Sequence, residues 1–268
     1  MDRQLVYKST HNIGLKNRVG TAQNLFLGTN QVRNAGAGPF TLTSTIQRPA
    51  LLQTISIDCL NAGAEVPGTV SDITIAGQSC FTSDSVVGIS CFSSKSFSAS
   101  SRALGVSVQN NMQVTVTGNT LAAGNVGVAI GLDPIPQNAV KSRAQQAHAY
   151  NFIHGLGTVT VGPGATAVLS SVSTRNVTLG EIILSNNSAT PSDDLLVESI
   201  KISGLEMLAG PTGATQIPFS AFENSATMTA DLVLGYPIEA NARVEIQVRN
   251  VGAAGAPISG GIFCVPWK

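Results

Sequence analysis

Few side chains in this sequence could do chemistry, and they are scattered along the chain. Histidine and cysteine are common nucleophiles, acid–base groups and metal ligands, and the chain has three of the first and four of the second. They are His11, His148, His154, Cys59, Cys80, Cys91 and Cys264. No two cysteines stand in a C-x-x-C pair, and a zinc site needs clustered ligands. We therefore expect no zinc site.

The two histidines closest in sequence are His148 and His154, six residues apart. That spacing does not place both side chains on one face of a helix. We predict that both are exposed in a linker between two domains.

Other motifs also fail to define a site. The chain has no G-x-S-x-G nucleophile elbow and no G-x-x-x-x-G-K-[ST] phosphate loop. The segment GPTGATQ at 210–216 lacks the lysine and the following helix, so we predict a turn. Asp193 and Asp194 could bind a hard cation together with backbone carbonyls, but such a pair is more often a solvated turn. The prediction is a protein that is not an enzyme and uses no cofactor or metal.

The strongest pattern is an internal duplication. Five segments of the first half have counterparts in the same order in the second half, at an offset that drifts from about 124 to 132 residues. Loop insertions between two copies of one fold produce such a drift. The segments 38–46, 51–63, 71–77, 103–116 and 127–136 match 162–172, 177–189, 198–204, 233–246 and 260–268. The coinciding positions are Ile73 and Ile200, Gly77 and Gly204, Gly105 and Gly235, Asn111 and Asn241, and Val114 and Val244.

Each half is predicted to be built from β-strands. Apolar and polar residues alternate in ITI (73–75), IKI (200–202), VTVT (114–117) and VEIQV (244–248). Clusters of Asn, Gly, Pro and Ser separate these runs and indicate turns. About seven or eight short strands per half predict an all-β protein made of two tandem antiparallel β-sandwiches. A jelly roll is the most economical sandwich, since its two sheets shelter most strand edges, and an immunoglobulin-like strand order remains open.

Charge and composition divide the chain into four parts. Residues 1–35 are predicted to form a basic N-terminal arm with a local charge of +4, and the bases are Arg3, Lys8, Lys16, Arg18 and Arg33. Residues 36–136 and 157–268 are the predicted first and second jelly rolls. Residues 137–156 are the predicted linker, partly helical because the segment is rich in Ala and Gln and lacks β-branched runs.

The cysteines have no cysteine at the corresponding position of the other half. Cys59 corresponds to Asn186, Cys80 to Met207, Cys91 approximately to Ala221, and Cys264 to Leu132. The shared fold is therefore complete without disulfides, and we predict that the cysteines are small buried hydrophobic residues. A Cys80–Cys91 bridge is the alternative, and it would indicate oxidising conditions.

Composition excludes several classes of protein. Only 11% of the 268 residues are charged and the formal net charge is zero, whereas about 25% is typical of globular domains. A protein that coats nucleic acid needs many cations, so we expect no direct sequence-specific nucleic-acid binding. No apolar run approaches the roughly 18 residues of a membrane span. The first residues also lack the apolar stretch of a secretory signal, so we expect a protein that is soluble as made.

Two fused sandwiches, low charge, a basic N-terminal arm and no catalytic group together resemble one family. It comprises the double jelly-roll major capsid proteins of tailless, membrane-containing icosahedral phages, in the lineage of the adenovirus hexon. The resemblance covers residues 36–268 and lies in the architecture, not in a short motif. In size the chain is similar to the coat proteins of small lipid-containing phages, such as those that infect Flavobacterium.

The resemblance implies a structural role in the virion shell, with synthesis in the host cytoplasm. Three chains would form a homotrimer with six similar lobes, a pseudo-hexagonal capsomer that contacts neighbouring capsomers and minor vertex proteins. The basic arm would contact the internal lipid membrane or a neighbouring subunit. The alternatives are a minor capsid or spike protein, and a tandem-sandwich adhesin or carbohydrate-binding module. A sugar-binding module usually needs aromatic platforms, and aromatic residues make up only 5% of this chain.

Overall fold

Antiparallel strands account for nearly all of the regular structure. The computed structural model describes residues 25–28, 32–93, 105–135, 152–188, 192–208, 216–223 and 233–267. Within those ranges helical structure is limited to three 3-10 turns, at Ile89–Phe92, Ser192–Asp194 and Phe219–Ala221. No helix in the same ranges is long and apolar enough to cross a membrane.

The first half contains eleven strands among its described residues. They are β1 (Leu25–Gly28), β2 (Val32–Asn34), β3 (Gly38–Thr45), β4 (Ala50–Asn61), β5 (Ala64–Glu65), β6 (Gly68–Ile75), β7 (Gln78–Ser79), β8 (Val87–Gly88), β9 (Val106–Val108), β10 (Gln113–Thr120) and β11 (Gly124–Pro134).

The second half contains nine strands among its described residues. They are β12 (Phe152–Val161), β13 (Thr166–Val172), β14 (Val177–Asn186), β15 (Leu195–Ile202), β16 (Leu205–Glu206), β17 (Ile217–Pro218), β18 (Val233–Ile238), β19 (Arg243–Asn250) and β20 (Ala256–Pro266).

Strand order identifies both halves as jelly rolls. In the first half, sheet A has the order β1/β2–β11–β4–β9 and sheet B has the order β3–β10–β6–β8, with β5 and β7 as short additions. In the second half, sheet C has the order β12–β20–β14–β18 and sheet D has the order β13–β19–β15–β17, with β16 as the addition. If the eight main strands of each half are numbered along the chain, one sheet of each half has the strand order 1-8-3-6 and the other has the order 2-7-4-5. The predicted all-β tandem jelly roll is confirmed, and the immunoglobulin-like order is excluded.

Alternating burial explains why these sequences form sandwiches. In β19, Val244, Ile246 and Val248 are fully buried, while Arg243 and Arg249 are exposed on the opposite face. Successive side chains of a strand point to opposite faces, so this pattern buries one face of each sheet against the other.

The positions that coincide in the duplication adopt the same unusual backbone conformation. Asn111 and Asn241 have φ values of 66° and 70°, and Gly77 and Gly204 have φ values of 77° and 83°. Residues with positive φ are rare outside glycine, and Asn tolerates the conformation best among the others. The duplication therefore extends to turn geometry.

The boundaries of the first half and of the linker differ from the prediction. Strands β1 and β2 both pair with β11, so Leu25–Gly28 and Val32–Asn34 belong to the first jelly roll and not to the arm. Strand β12 begins at Phe152, so residues 152–156 belong to the second jelly roll and not to the linker. The segment 152–156 was missed because all five residues are buried, which removes the period-two alternation of a half-exposed strand. The predicted helix of the linker lies outside the described residues.

Candidate functional site: the junction between the two jelly rolls

Most of the predicted arm lies outside the described residues. This applies to Arg3, Lys8, Lys16 and Arg18. Arg33 is exposed in strand β2, where it lies opposite Asn125 of β11. The role of these five bases therefore stays a prediction.

The four cysteines are buried and form no disulfide. All four thiols lie in the hydrophobic interior, and no disulfide joins them. The prediction of small buried hydrophobic residues is confirmed, and the Cys80–Cys91 bridge is not formed. Burial raises the pKa of the Cys80 thiol to about 12, and nearby Asp72 adds to the rise. Among the described residues, no group of three or more His, Cys, Asp or Glu side chains could hold a metal ion.

The two jelly rolls meet along a segment of the first half, residues 80–93, which connects β7 to β8 and continues into the turn Ile89–Phe92. Part of this segment extends sheet C of the second half. The Ile153 N–H donates to the Cys80 carbonyl at 2.9 Å, and the Thr82 N–H donates to the Ile153 carbonyl at 2.8 Å. Phe81 and Ile153 thereby form a parallel bridge at the edge of β12. The first jelly roll thus supplies a short extra strand to a sheet of the second.

The rest of the segment lies on the outer face of sheet C, and glycines allow the close approach. A Cβ atom on Gly88 would lie 2.0 Å from the Ser259 hydroxyl oxygen. A Cβ atom on Gly155 would lie 2.2 Å from the Ser85 carbonyl oxygen. Both distances are far below van der Waals contact, so only glycine fits at these positions without movement of the backbone or side chain.

Aromatic and polar contacts complete the junction. The rings of Phe92 in the first half and Phe263 in the second pack edge to face, with centroids 6.2 Å apart. Beside them, the Ser90 hydroxyl hydrogen-bonds with the Ser185 hydroxyl and donates to the Asn187 side-chain oxygen at 2.9 Å. Phe92 is fully buried and Phe263 is 6% exposed. The junction thus combines buried aromatic packing with polar contacts, as permanent interfaces do.

His154 lies at the centre of this contact, and the prediction that it is exposed in a linker was wrong. The side chain is completely buried. Its Nε2 lies 2.7 Å from the Ser171 hydroxyl oxygen in β13, and its Nδ1 lies 3.1 Å from the Thr82 hydroxyl oxygen in the first half. Burial lowers the pKa of His154 to about 4. A neutral imidazole has one donor and one acceptor, so the two hydroxyls satisfy both ring nitrogens.

Thr82 also ties this contact to the turn after β13. Its carbonyl accepts hydrogen bonds from the Thr174 N–H at 2.6 Å and from the Thr174 hydroxyl at 2.9 Å. The arrangement is suited to holding two sandwiches in one fixed relation. The composition of residues 80–93, with four serines, one glycine and two buried cysteines, is the signal that sequence reasoning overlooked.

Among the comparisons with known proteins, the one with solved structures finds matches. No protein family model matches the chain, and no curated protein sequence matches it. The chain is similar to the major capsid protein P2 from Bacteriophage PM2. The crystal structure of that protein shares 11% sequence identity with this chain at a TM-score of 0.44, and the similarity covers 92% of this chain and 98% of that one.

Proposed function

We propose that this protein is the major capsid protein of an icosahedral virus, in which homotrimers form pseudo-hexagonal capsomers over an internal membrane. The observation that carries the proposal is the pair of equivalent jelly rolls fused through a buried junction. One chain with two similar lobes gives six similar lobes when three copies surround a three-fold axis. Such a trimer has a nearly hexagonal outline, and hexagonal units tile a flat facet.

The hydroxyl-rich outward face of sheet B supports burial against a neighbouring subunit. The outward face of sheet B carries hydroxyls where charges are usual: Thr43 and Thr115 are 3.1 Å apart through their oxygens, and so are Ser71 and Thr117. Interface cores are depleted of charged residues because an unpaired buried charge is strongly unfavourable. On this face the Asp72 carboxylate lies opposite Thr117 and accepts a hydrogen bond from the Ser79 hydroxyl at 2.6 Å, so a subunit contact here would bury a carboxylate that already has a partner.

The size of the assembled particle tests this proposal. Light scattering coupled to size-exclusion chromatography should give a mass three times that of the 27.5 kDa chain. Electron microscopy of the same fraction should show particles with a hexagonal outline. A chain that stays monomeric at high micromolar concentration and binds glycans would overturn the capsid role in favour of a binding module.

For the arm, we propose contact with anionic lipid headgroups. Each Lys or Arg close to such a surface contributes about 1 kcal/mol, and many copies in one shell add their contributions. Flotation with vesicles that contain anionic lipid should recover the full chain and lose a chain lacking residues 2–18. A matched variant with Arg3, Lys8, Lys16 and Arg18 changed to Gln should behave like the deletion. Equal flotation of all three proteins would remove the membrane role and leave the capsid role untouched.

A further inference from the structure

The junction between the two halves is asymmetric, although the halves are copies of one fold. The first half contributes a segment, Val87–Phe92, and the second half contributes a face, the outer side of sheet C. Each chain therefore keeps one copy of the segment and one copy of the face that the junction does not use. The unused segment is in the second half, and the unused face is the outer side of sheet A.

The unused segment matches the used one residue by residue. Strand β17 pairs with β15 as β8 pairs with β6, with Pro218 opposite Leu196 where Gly88 lies opposite Thr69. A 3-10 turn follows in both halves, at Phe219–Ala221 and Ile89–Phe92. Cys91 consequently corresponds to Ala221, as the sequence indicated.

The two segments differ in their exposure to solvent. Val87 and Gly88 are buried under the second jelly roll, whereas Pro218 is exposed and Ile217 is partly exposed. The second half therefore presents an apolar, uncharged segment to solvent at the position where the first half buries its own.

The unused face matches the used one in register. Val126 pairs with Cys59 in sheet A as Ile258 pairs with Asn186 in sheet C. Gly127 and Ala129 of β11 therefore take the places of Ser259 and Gly261 of β20.

The two faces also differ in their exposure to solvent. Ser259 and Gly261 are buried beneath the first jelly roll, whereas Ala129 is exposed and Gly127 is half-buried. Asp58, opposite Gly127, already accepts a hydrogen bond from the Ser93 hydroxyl at 3.0 Å.

In the junction the larger of the two facing residues lies on the face, whereas in the unused pair the larger residue lies on the segment. In the junction, Gly88 of the segment meets the larger Ser259 of the face. In the unused pair, the segment carries the larger residue, Pro218, and the face carries the glycine, Gly127. Close packing requires that the summed volume fit the gap, so a large residue on one side needs a small one on the other.

We propose that the segment Ile217–Ala221 of one copy of this chain docks on the outer face of sheet A of a second copy, around Gly127 and Ala129. The contact repeats between chains the arrangement that joins the halves within a chain. It is heterologous, since different surfaces meet, and a heterologous contact that repeats with the right rotation closes into a ring. This inference rests on the proposed trimer and names its intersubunit contact.

Two single variants test the contact from opposite sides. Ala129→Arg places a charge on the face and Pro218→Arg places one on the segment, and both positions are exposed within the chain. Each variant should raise the concentration needed for trimer assembly at least about 100-fold, because a charge buried without a partner weakens an interface strongly. Ala122→Arg, at an exposed turn of the first half, is the matched control and should assemble as wild type does.

Mixing the two variants gives the sharpest result. Ala129→Arg keeps an intact segment and Pro218→Arg keeps an intact face, so an equimolar mixture should form heterodimers and stop there. Heterodimer formation also shows that both variants are folded. Trimers in both single variants, or a mixture that stays monomeric, would overturn the contact while the wild-type trimer upholds the capsid role. A monomeric wild-type chain would overturn both.

Discussion

The Nδ1 atom of His154 in the second jelly roll lies 3.1 Å from the hydroxyl oxygen of Thr82 in the first. The ring is completely buried, and the Ser171 hydroxyl meets its other nitrogen. A buried histidine with two hydroxyl partners is neutral at ordinary pH, so the contact between the halves depends on an uncharged ring.

Protonation of this histidine should destabilise the fold in acid. The pKa of His154 is lowered from 6.5 to about 4 by burial, so the unfolded chain binds the proton more tightly than the folded chain. Stability is then complete above pH 6.5 and falls as the pH drops towards 4, by about 1.4 kcal/mol per unit and on the order of 3 kcal/mol in all.

The measurement compares wild type with His154→Gln, whose amide also offers a donor and an acceptor. Urea unfolding of both proteins between pH 7.5 and 4 gives the difference in unfolding free energy, which removes the titration of the carboxylates. Below pH 6.5, and not above it, the unfolding free energy of wild type should fall relative to that of the variant. A constant difference over the whole range would show that His154 does not titrate with the fold.

The close approach at Gly88 predicts a strong effect from one added methyl group. Gly88→Ala should destabilise the protein by about 1–3 kcal/mol, because its Cβ would overlap the Ser259 side chain. Gly36→Ala is the matched control, since nothing lies within 4 Å of a Cβ there. The double variant Gly88→Ala with Ser259→Gly should recover much of the loss in thermal melts, and additive effects would contradict the overlap.

The paired turns predict matched effects in the two halves. Asn111 and Asn241 both have positive φ, so alanine at either position should destabilise by about 1 kcal/mol while glycine is close to neutral. Chemical denaturation of the four single variants checks this. A large effect in one half and none in the other would contradict the equivalence of the turns.

The buried thiols predict slow chemistry in the native state. All four cysteines are reduced and buried, and burial raises the pKa values of Cys59, Cys80 and Cys264. A thiol reagent should therefore label none of the four in native protein and all four after denaturation. Rapid labelling of one thiol in native protein would place that residue nearer the surface than this structure does.

Several features of the fold followed from local pattern. Val244 and Ile246 alternate with polar residues, and this alternation predicts a strand with one buried face wherever the strand is placed. Asn111 and Asn241 mark turns because few residues tolerate their backbone conformation. Repetition of such signals in the same order was enough to predict two copies of one sandwich.

The junction between the two halves could not be predicted from the sequence, because it depends on residues that are far apart along the chain. His154 and Gly155 lack the alternation of a strand since a distant segment covers their sheet on the outer side. Segment 80–93 has no regular pattern of its own, and its role is set by the face on which it lies.

The sequence alone therefore determined the fold class, the duplication and the burial of the cysteines, all of which depend on residues close along the chain or on their repetition. Tertiary structure decided the order of the strands and which of two equivalent faces is covered. Those choices depend on contacts between residues as far apart as Gly88 and Ser259, and no spacing within a single segment encodes them.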